Sequence, residues 1–358
     1  MTVRVAVSAP GKLLLLGEYA VLRGAPAIVM AGDRRARVEL EPAGSELWSI
    51  AAPPLAAEPL RFTLAADGSL RWQGGAAAGS GRLDLVERLI SSMSAGGLLD
   101  AARLPPAAAT LDTRALYEAG PGGMMKLGLG SSAAATVVLA SALALWSGRE
   151  QLLVDPLCWL GSLLGLHRGL QGGRGSGADL AASLIGGVVG FRLDEHGAVG
   201  TADRLAMPEG LHLVVVWTGR SADTTSMLRR LDERTAARDA AVEAALGRLA
   251  ELSRAGADAF RLGRVAAVLE VVDGFCEAME ELGHAAALPI LSAELDALRG
   301  LARRHGAAFK PSGAGGGDLG IAFAADPEAA AATAAAAAAA GFRTVPLHLD
   351  PCGLTRHS

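Results

Sequence analysis

The sequence predicts an α+β fold in two domains. Strand-like and helix-like segments occur in both halves of the chain, without the regular alternation of a doubly wound sheet. The 358 residues exceed the ~150 of a typical domain, and 51% of them are hydrophobic, enough for a substantial core. The boundary is expected near residues 195–210, giving domains 1–205 and 206–358.

Val3–Ala9 alternates and is β-branched, so it reads as a strand. Gly11–Gly17 breaks that alternation with an apolar run, which Ala20–Met30 continues, and Val38–Leu40 reads as another strand. Residues 42–82, rich in Pro, Gly and Ala, hold a hairpin-like piece at Leu60–Trp72 with an Asp67-Gly68 turn signal. Leu83, Val86, Leu89 and Ile90 share a face, which predicts a helix over Leu83–Ser94; Pro105–Leu116 reads as extended. A Gly-rich turn then feeds a long helix from near Ser131, and Leu152–Leu170 is helical around a breaker at Asp155-Pro156. Another Gly loop after Gln171 feeds a short helix. Val188–Leu193 is a strand, His196-Gly197 a turn, and Leu211–Trp217 a strand of the buried type. Thr224–Arg304 reads as helical, punctuated at Gly256, Gly274 and Gly283. Ala307–Lys310 and Leu319–Ala324 flank a third Gly loop. The nearly all-alanine Ala329–Ala340 predicts a surface or half-buried helix, and Thr344–Leu349 a final strand. No internal repeat is visible.

Composition excludes several classes. The formal charge of −4 argues against a nucleic-acid or anionic-membrane binder. Cys158, Cys276 and Cys352 are too widely spaced for a disulfide framework or a CxxC zinc site. The five tryptophans are too scattered for a base-stacking platform. Neither a signal peptide nor a run of about 20 apolar residues is seen. A cytoplasmic protein is expected, with a homodimer as one possible state.

Lysine usage is informative. Only Lys12, Lys126 and Lys310 occur among 33 basic residues, each in or beside a segment rich in small residues. Arginine has replaced lysine elsewhere, so a compact ammonium is the natural reason to keep these three.

Three Gly-rich segments call for phosphate. None is a Walker A loop or a full dinucleotide fingerprint. In Gly128–Ala133 (GLGSSA) the glycines let the backbone approach a ligand, and the helix that follows turns unpaired N–H groups toward an anion. Ser131 and Ser132 can cap that helix, donate to phosphate or ligate Mg²⁺. An ordinary capped helix is the competing reading. Ser312–Asp318 packs four glycines between two strands, more than a hairpin needs, which favours close approach to a ligand. In Ala9–Tyr19, Lys12 precedes an apolar run, where a lysine would serve as a point charge for a transferring phosphoryl group. Asp179 is either a first-turn acid of its helix or a group that positions or deprotonates an acceptor.

Together these motifs resemble the GHMP small-molecule kinases. The resemblance lies in APGKLLLLGEYAVLRGAPAIVMA (Ala9–Ala31), KLGLGSSAA (Lys126–Ala134) and KPSGAGGGDLGIAF (Lys310–Phe323), in matching order and spacing over almost the whole chain. Finer features, His167–Gln171 followed by GRGSGADLAAS and the segment WTGRSADTTSM (Trp217–Met227), resemble the phosphomevalonate kinase branch. Residues 42–105 carry no usable match.

The resemblance implies an N-terminal nucleotide-binding domain, a C-terminal α+β domain and a site in the cleft between them. It implies ATP and Mg²⁺ as cofactors and 5-phosphomevalonate as acceptor, with small-molecule partners only. Mevalonate kinase, and a non-catalytic nucleotide-binding regulator of the same fold, are the alternatives. By motif position Lys12 and Asp179 are the catalytic pair. Gly128, Leu129, Gly130, Ser131, Ser132 and Ala133 bind the nucleotide, with Ser132 next to Mg²⁺. Glu18, Tyr19, Ser176, Gly177, Ser312, Gly313, Gly315 and Gly316 are assigned to the substrate. Arg174, Arg220 and Lys310 are candidate cations for an anionic acceptor, or else solvated surface charges. One departure stands out: where some relatives carry a metal-binding glutamate, the nearest polar residue here is Gln171, which supplies no charge.

Overall fold

A computed structural model describes residues 4–73, 81, 83–120, 123–173, 175–220 and 224–357. The apolar run after Gly11 does not interrupt the first strand. Residues Val5–Leu16 form one strand, β1, and a register shift between Pro10 and Gly11 absorbs the irregularity. Val38–Leu40 is likewise the end of a longer strand, β2 (Ala27–Pro42), antiparallel to β1. The expected hairpin is β4 (Ala56–Leu64) with β5 (Leu70–Trp72), preceded by β3 (Trp48–Ala52). The Asp67 carboxylate closes its turn by accepting from Ser69 N–H at 2.9 Å.

The amphipathic α1 (Asp84–Ala95) buries Val86, Leu89, Ile90 and Met93. It is followed by β6 (Ala107–Asp112) and a small ribbon of β7 (Tyr117–Gly120) and β8 (Gly123–Lys126). Then come α2 (Ser131–Trp146), α3 (Pro156–Leu170), α4 (Ala178–Ile185), β9 (Val188–Leu193) and β10 (Val199–Leu205). Asp155 caps α3 by accepting from the N–H groups of Leu157 and Cys158, with Pro156 in the first turn. Helix α2 is apolar on every side because it lies between β1, β2 and α4. The strands join in the order β10-β9-β2-β6-β3-β4-β5, and β1 extends β2 on its other reach.

The second sheet has the order β12-β13-β11-β14, from β11 (His212–Trp217), β12 (Ala308–Ser312), β13 (Leu319–Ala324) and β14 (Arg343–Thr344). Between its strands lie α5 (Thr224–Ala236), α6 (Ala240–Arg261), α7 (Val265–Ala286) and α8 (Ala293–Arg304); α9 (Pro327–Ala339) follows β13. Gly256, Gly274 and Gly283 do not punctuate these helices; they lie inside α6 and α7. The reason for Gly256 is packing, since a Cβ there would sit 2.6 Å from Leu16 Cδ1 of β1. The alanine-rich α9 is half-buried, covering Thr333 and Ala337.

The expected final strand at Thr344–Leu349 is mostly absent. Only Arg343–Thr344 pairs with β11, and the chain then returns to the first sheet as β15 (Thr355–His357) against β1. Arg35 holds this return: its guanidinium meets Asp350 at 2.5 Å, the carbonyls of Cys352 and Gly353, and Thr355 Oγ1. The end of the chain therefore packs on the first sheet rather than on the second. Cys158 and Cys352 are exposed; Cys276 is buried, which pushes its thiol up to about 11 and leaves it a packing group. No helix among the described residues is long and apolar enough to cross a membrane.

Candidate active site

The three Gly-rich segments converge. The backbone N–H of Lys12, on β1, donates to Leu129 O at 2.9 Å, and its ammonium donates to Gly128 O at 3.1 Å. Gly11 has to be glycine here, because a Cβ would come 2.8 Å from Leu129 O and 2.6 Å from Leu116 Cδ2. Gly128 and Gly130 lie at φ 77° and 73°, and the chain enters α2 directly at Ser131. A Cβ on Gly130 would meet the Lys12 stem at 2.8 Å, and one on Gly128 would meet Asp318 at 2.8 Å. The loop thus lies flush against Lys12 on one side and the third motif on the other. Its N–H groups and the positive end of α2 form a cradle for an anion.

A cavity of about 210 Å³ opens beside this cradle. Lys12, Glu18, Tyr19, His167, Gln171 and Asp179 line it, together with Gly175, Ser176 and Gly313. Lys12 and Asp179 thus face one space, although among the described residues no ion pair joins them. Asp179 sits in the first turn of α4, and its Oδ1 accepts from Leu180 N–H at 3.0 Å. Gly177 enters that helix at φ 85°, packed on Leu164, and Ser176 Oγ accepts from Ala178 N–H at 3.3 Å.

A second cavity, of about 250 Å³, adjoins the other side of the loop. Ser131, Ser132 and Ala135 of α2, Lys126 and Tyr117 of the ribbon, and Asp84 to Val86 of α1 line it. These α1 and ribbon residues went unread in the sequence. They come from segments without Gly-rich signatures, and only Lys126, as one of three lysines, was a usable signal.

Lys310 does not face a ligand. It is fully buried, donates to Glu18 Oε1 at 2.5 Å and to Pro311 O at 2.6 Å, and lies 5.8 Å from the Phe275 ring centroid. Burial pushes its ammonium below the ordinary value, against the pull of Glu18. Its role is structural: Glu18 Oε1 also accepts from Gly313 N–H at 3.1 Å, so the pair fixes the start of the third loop. Tyr19, buried at φ 60°, adds a second tie by donating to Ala314 O at 2.5 Å, and burial raises its phenol pKa.

Arg220 also turns away. Its guanidinium meets Glu294 at 3.2 Å on an exposed surface, while its carbonyl accepts from Asp318 N–H at 2.7 Å. Arg174 lies outside the described residues. The glycines of the third loop divide in role. Gly313 lines the cavity with open space above it, whereas Gly315 and Gly316 pack against Ile290 and Met227. Ser312 Oγ donates to Leu14 O at 3.2 Å.

His167 is 2% exposed. It joins the two cavities: its Nε2 lies 3.4 Å from Ser132 Oγ and 3.2 Å from Gln171 Nε2. Gln171 therefore serves a histidine rather than a metal. No cluster of three or more acidic, His or Cys ligands occurs among the described residues. Mg²⁺ keeps several waters and binds mainly through nucleotide phosphates and one or two protein oxygens, a part that the Ser131 and Ser132 hydroxyls lining the second cavity fit.

Comparison with known proteins extends this picture. The family model "GHMP kinases C terminal" matches residues 265–343. Over 354 residues, 90% of each chain, the sequence is 31% identical to a phosphomevalonate kinase of Streptomyces sp. (strain CL190). Among solved structures, the Lin0012 protein of Listeria innocua superposes with a TM-score of 0.82 at 24% identity, covering 99% of both chains. The phosphomevalonate kinase of Streptococcus pneumoniae, solved in complex with phosphomevalonate and AMPPNP, gives a TM-score of 0.74 at 22% identity over 96% of this chain and 99% of that one. At these identities the two structures speak for the fold.

Proposed function

The chain belongs to the GHMP kinase superfamily and is most like its phosphomevalonate kinases; on that premise we propose that it transfers the γ-phosphoryl group of ATP to 5-phosphomevalonate, yielding ADP and 5-diphosphomevalonate. The observation that carries the reading is that Lys12 and Asp179 line one cavity while the Lys12 ammonium donates to Gly128 O of the adjoining loop. The extended identity to the Streptomyces enzyme supports phosphomevalonate over mevalonate as acceptor. A non-catalytic regulator would need the cradle but not the Lys12 and Asp179 pair.

In the reaction an acceptor phosphate oxygen attacks the γ-phosphorus, and the bond to the β–γ bridging oxygen breaks. The acceptor has a second pKa of about 6, so it is already largely dianionic at pH 7. No strong base is required, and the main barrier is bringing two anions together. Gly128–Ser132 and the N-terminus of α2 hold the nucleotide phosphates. Lys12, fixed at Gly128 O, supplies charge beside the transferring group. Mg²⁺, when bound with ATP at Ser132, supplies further positive charge to the phosphates. Asp179 orients the Lys12 ammonium or the acceptor. Ser176, Gly313 and the Glu18 and Tyr19 segment shape the acceptor end, while Lys310 acts only through Glu18.

Product identity tests this directly. Incubation with MgATP and 5-phosphomevalonate should convert the acceptor's ³¹P monoester resonance into the coupled pair of a diphosphate ester. Retention of the monoester signal, with ADP formed only from mevalonate, would overturn the acceptor assignment.

A further inference from the structure

A charged concavity outside the site adjoins Gly24, at the end of the segment Ala20–Arg23. It encloses about 400 Å³, within the ~300–1,000 Å³ usual for small-molecule sites. One wall is the sheet face of β9 and β10, where Gly190 and Arg192 sit opposite Asp203 and Thr201 in register. The other is α6, whose Arg254, Ala257, Asp258 and Arg261 recur at the spacing of one helical face. Gly24 and Pro26 complete the lining.

Three guanidiniums from two elements thus face one space with two carboxylates, leaving the lining one positive charge in excess. Asp258 lies 3.6 Å from Arg261 and is largely matched by it. Among the described residues Arg192 and Arg254 take part in no ion pair. Two unpaired guanidiniums across a cavity are an incomplete arrangement that a multivalent anion completes, and their forks suit phosphate oxygens. Asp203 and the Thr201 hydroxyl add acceptors that match alcohol groups rather than more anionic ones.

We propose that this cleft is a second ligand site, separate from the kinase centre, for a small phosphorylated molecule bearing hydroxyl groups. Its occupancy is felt at the acceptor cavity. Gly24 ends the short helix Ala20–Arg23, and Val21 and Leu22 of that helix line the acceptor cavity. This coupling, unlike the binding itself, rests on the proposed reaction.

The probe is sn-glycerol 3-phosphate, titrated into ¹⁵N-labelled protein holding AMPPNP and Mg²⁺. Saturable shifts are expected at the amides of Gly24, Gly190 and Thr201. They should weaken at least tenfold in the Arg192→Ala/Arg254→Ala double variant and should not appear with glycerol or with sodium chloride at equal ionic strength. Shifts that are absent, reproduced by chloride, or unchanged in the double variant overturn the site. Coupling is read separately, as an at least twofold change in acceptor KM caused by the probe in the parent but not in the double variant. An unchanged KM overturns the coupling. A protein inactive toward phosphomevalonate would instead overturn the reaction, while the amide shifts would still decide the site.

Discussion

The Lys310 ammonium and the Glu18 carboxylate form an ion pair at 2.5 Å with side-chain exposures of 0% and 1%, joining β12 to the first motif. The pair fixes Gly313 in the lining of the cavity that Lys12 and Asp179 share, so it ties β12 to the shape of the site. Removing one member leaves a buried charge unmatched, at a cost of about 3–5 kcal/mol. Lys310→Met should therefore lower unfolding stability by that order in denaturant titration. Adding Glu18→Gln to it should recover a large part. A single variant within 1 kcal/mol of the parent on this scale would contradict the structural assignment.

Gly130→Ala should impair the kinase through Lys12. The residue lies at φ 73°, and the added methyl would press on the Lys12 stem at 2.8 Å. A non-glycine residue in this conformation costs about 1–2 kcal/mol, and the displaced ammonium would lose Gly128 O. Thermal unfolding and turnover should both fall, with kcat affected more than the acceptor KM. Full kcat in a folded variant would separate Lys12 placement from this loop.

Lys12→Met and Asp179→Asn should differ. Loss of a charge aimed at the transferring group costs about 10²–10³ in kcat, with ATP affinity little changed. Asp179→Asn should cost less, because a phosphate acceptor has no proton that must be removed near pH 7. As pH falls through the acceptor's second pKa of about 6, the dianion takes up a proton and kcat/KM should decline. That limb belongs to the substrate and should persist in Asp179→Asn. Its disappearance would make Asp179 the titrating base.

The His167 ring should hold one tautomer. The Gln171 amide nitrogen at 3.2 Å can only donate, so His167 Nε2 presents its lone pair and Nδ1 carries the hydrogen. Ser132 Oγ, at 3.4 Å from the same nitrogen, is then left with its lone pairs for Mg²⁺. Ring ¹⁵N shifts of the neutral imidazole should place its hydrogen on Nδ1, and Gln171→Leu should weaken Mg²⁺-dependent ADP binding. A protonated Nε2 in the parent would contradict this orientation.

Much of this site was legible because its chemistry is local in sequence. Lys12, Gly128–Ser132 and Asp179 stand in Gly-rich contexts whose backbone requirements are visible without a fold. The side-chain destinations of Lys310 and Arg220 were not, since Glu18 and Glu294 are remote in sequence and meet them only in the folded chain. The third loop's glycines looked alike, yet of Gly313, Gly315 and Gly316, Gly313 alone lines the cavity; Ile290 and Met227, which pack against the other two, gave no signal. Regular strands such as Val188–Leu193 were read to the residue, whereas β1 was cut at Gly11 because a bulge mimics a break. The return of Thr355–His357 to β1 depends on Arg35 and carries no periodicity.

The most direct measurement is coupled ADP release with MgATP and each of mevalonate, 5-phosphomevalonate and 5-diphosphomevalonate offered separately. The account predicts turnover with 5-phosphomevalonate, at a kcat/KM at least about a hundredfold above that for mevalonate, in line with the cost of leaving buried polar groups unpaired. Turnover with mevalonate alone, or with none of the three, would contradict it.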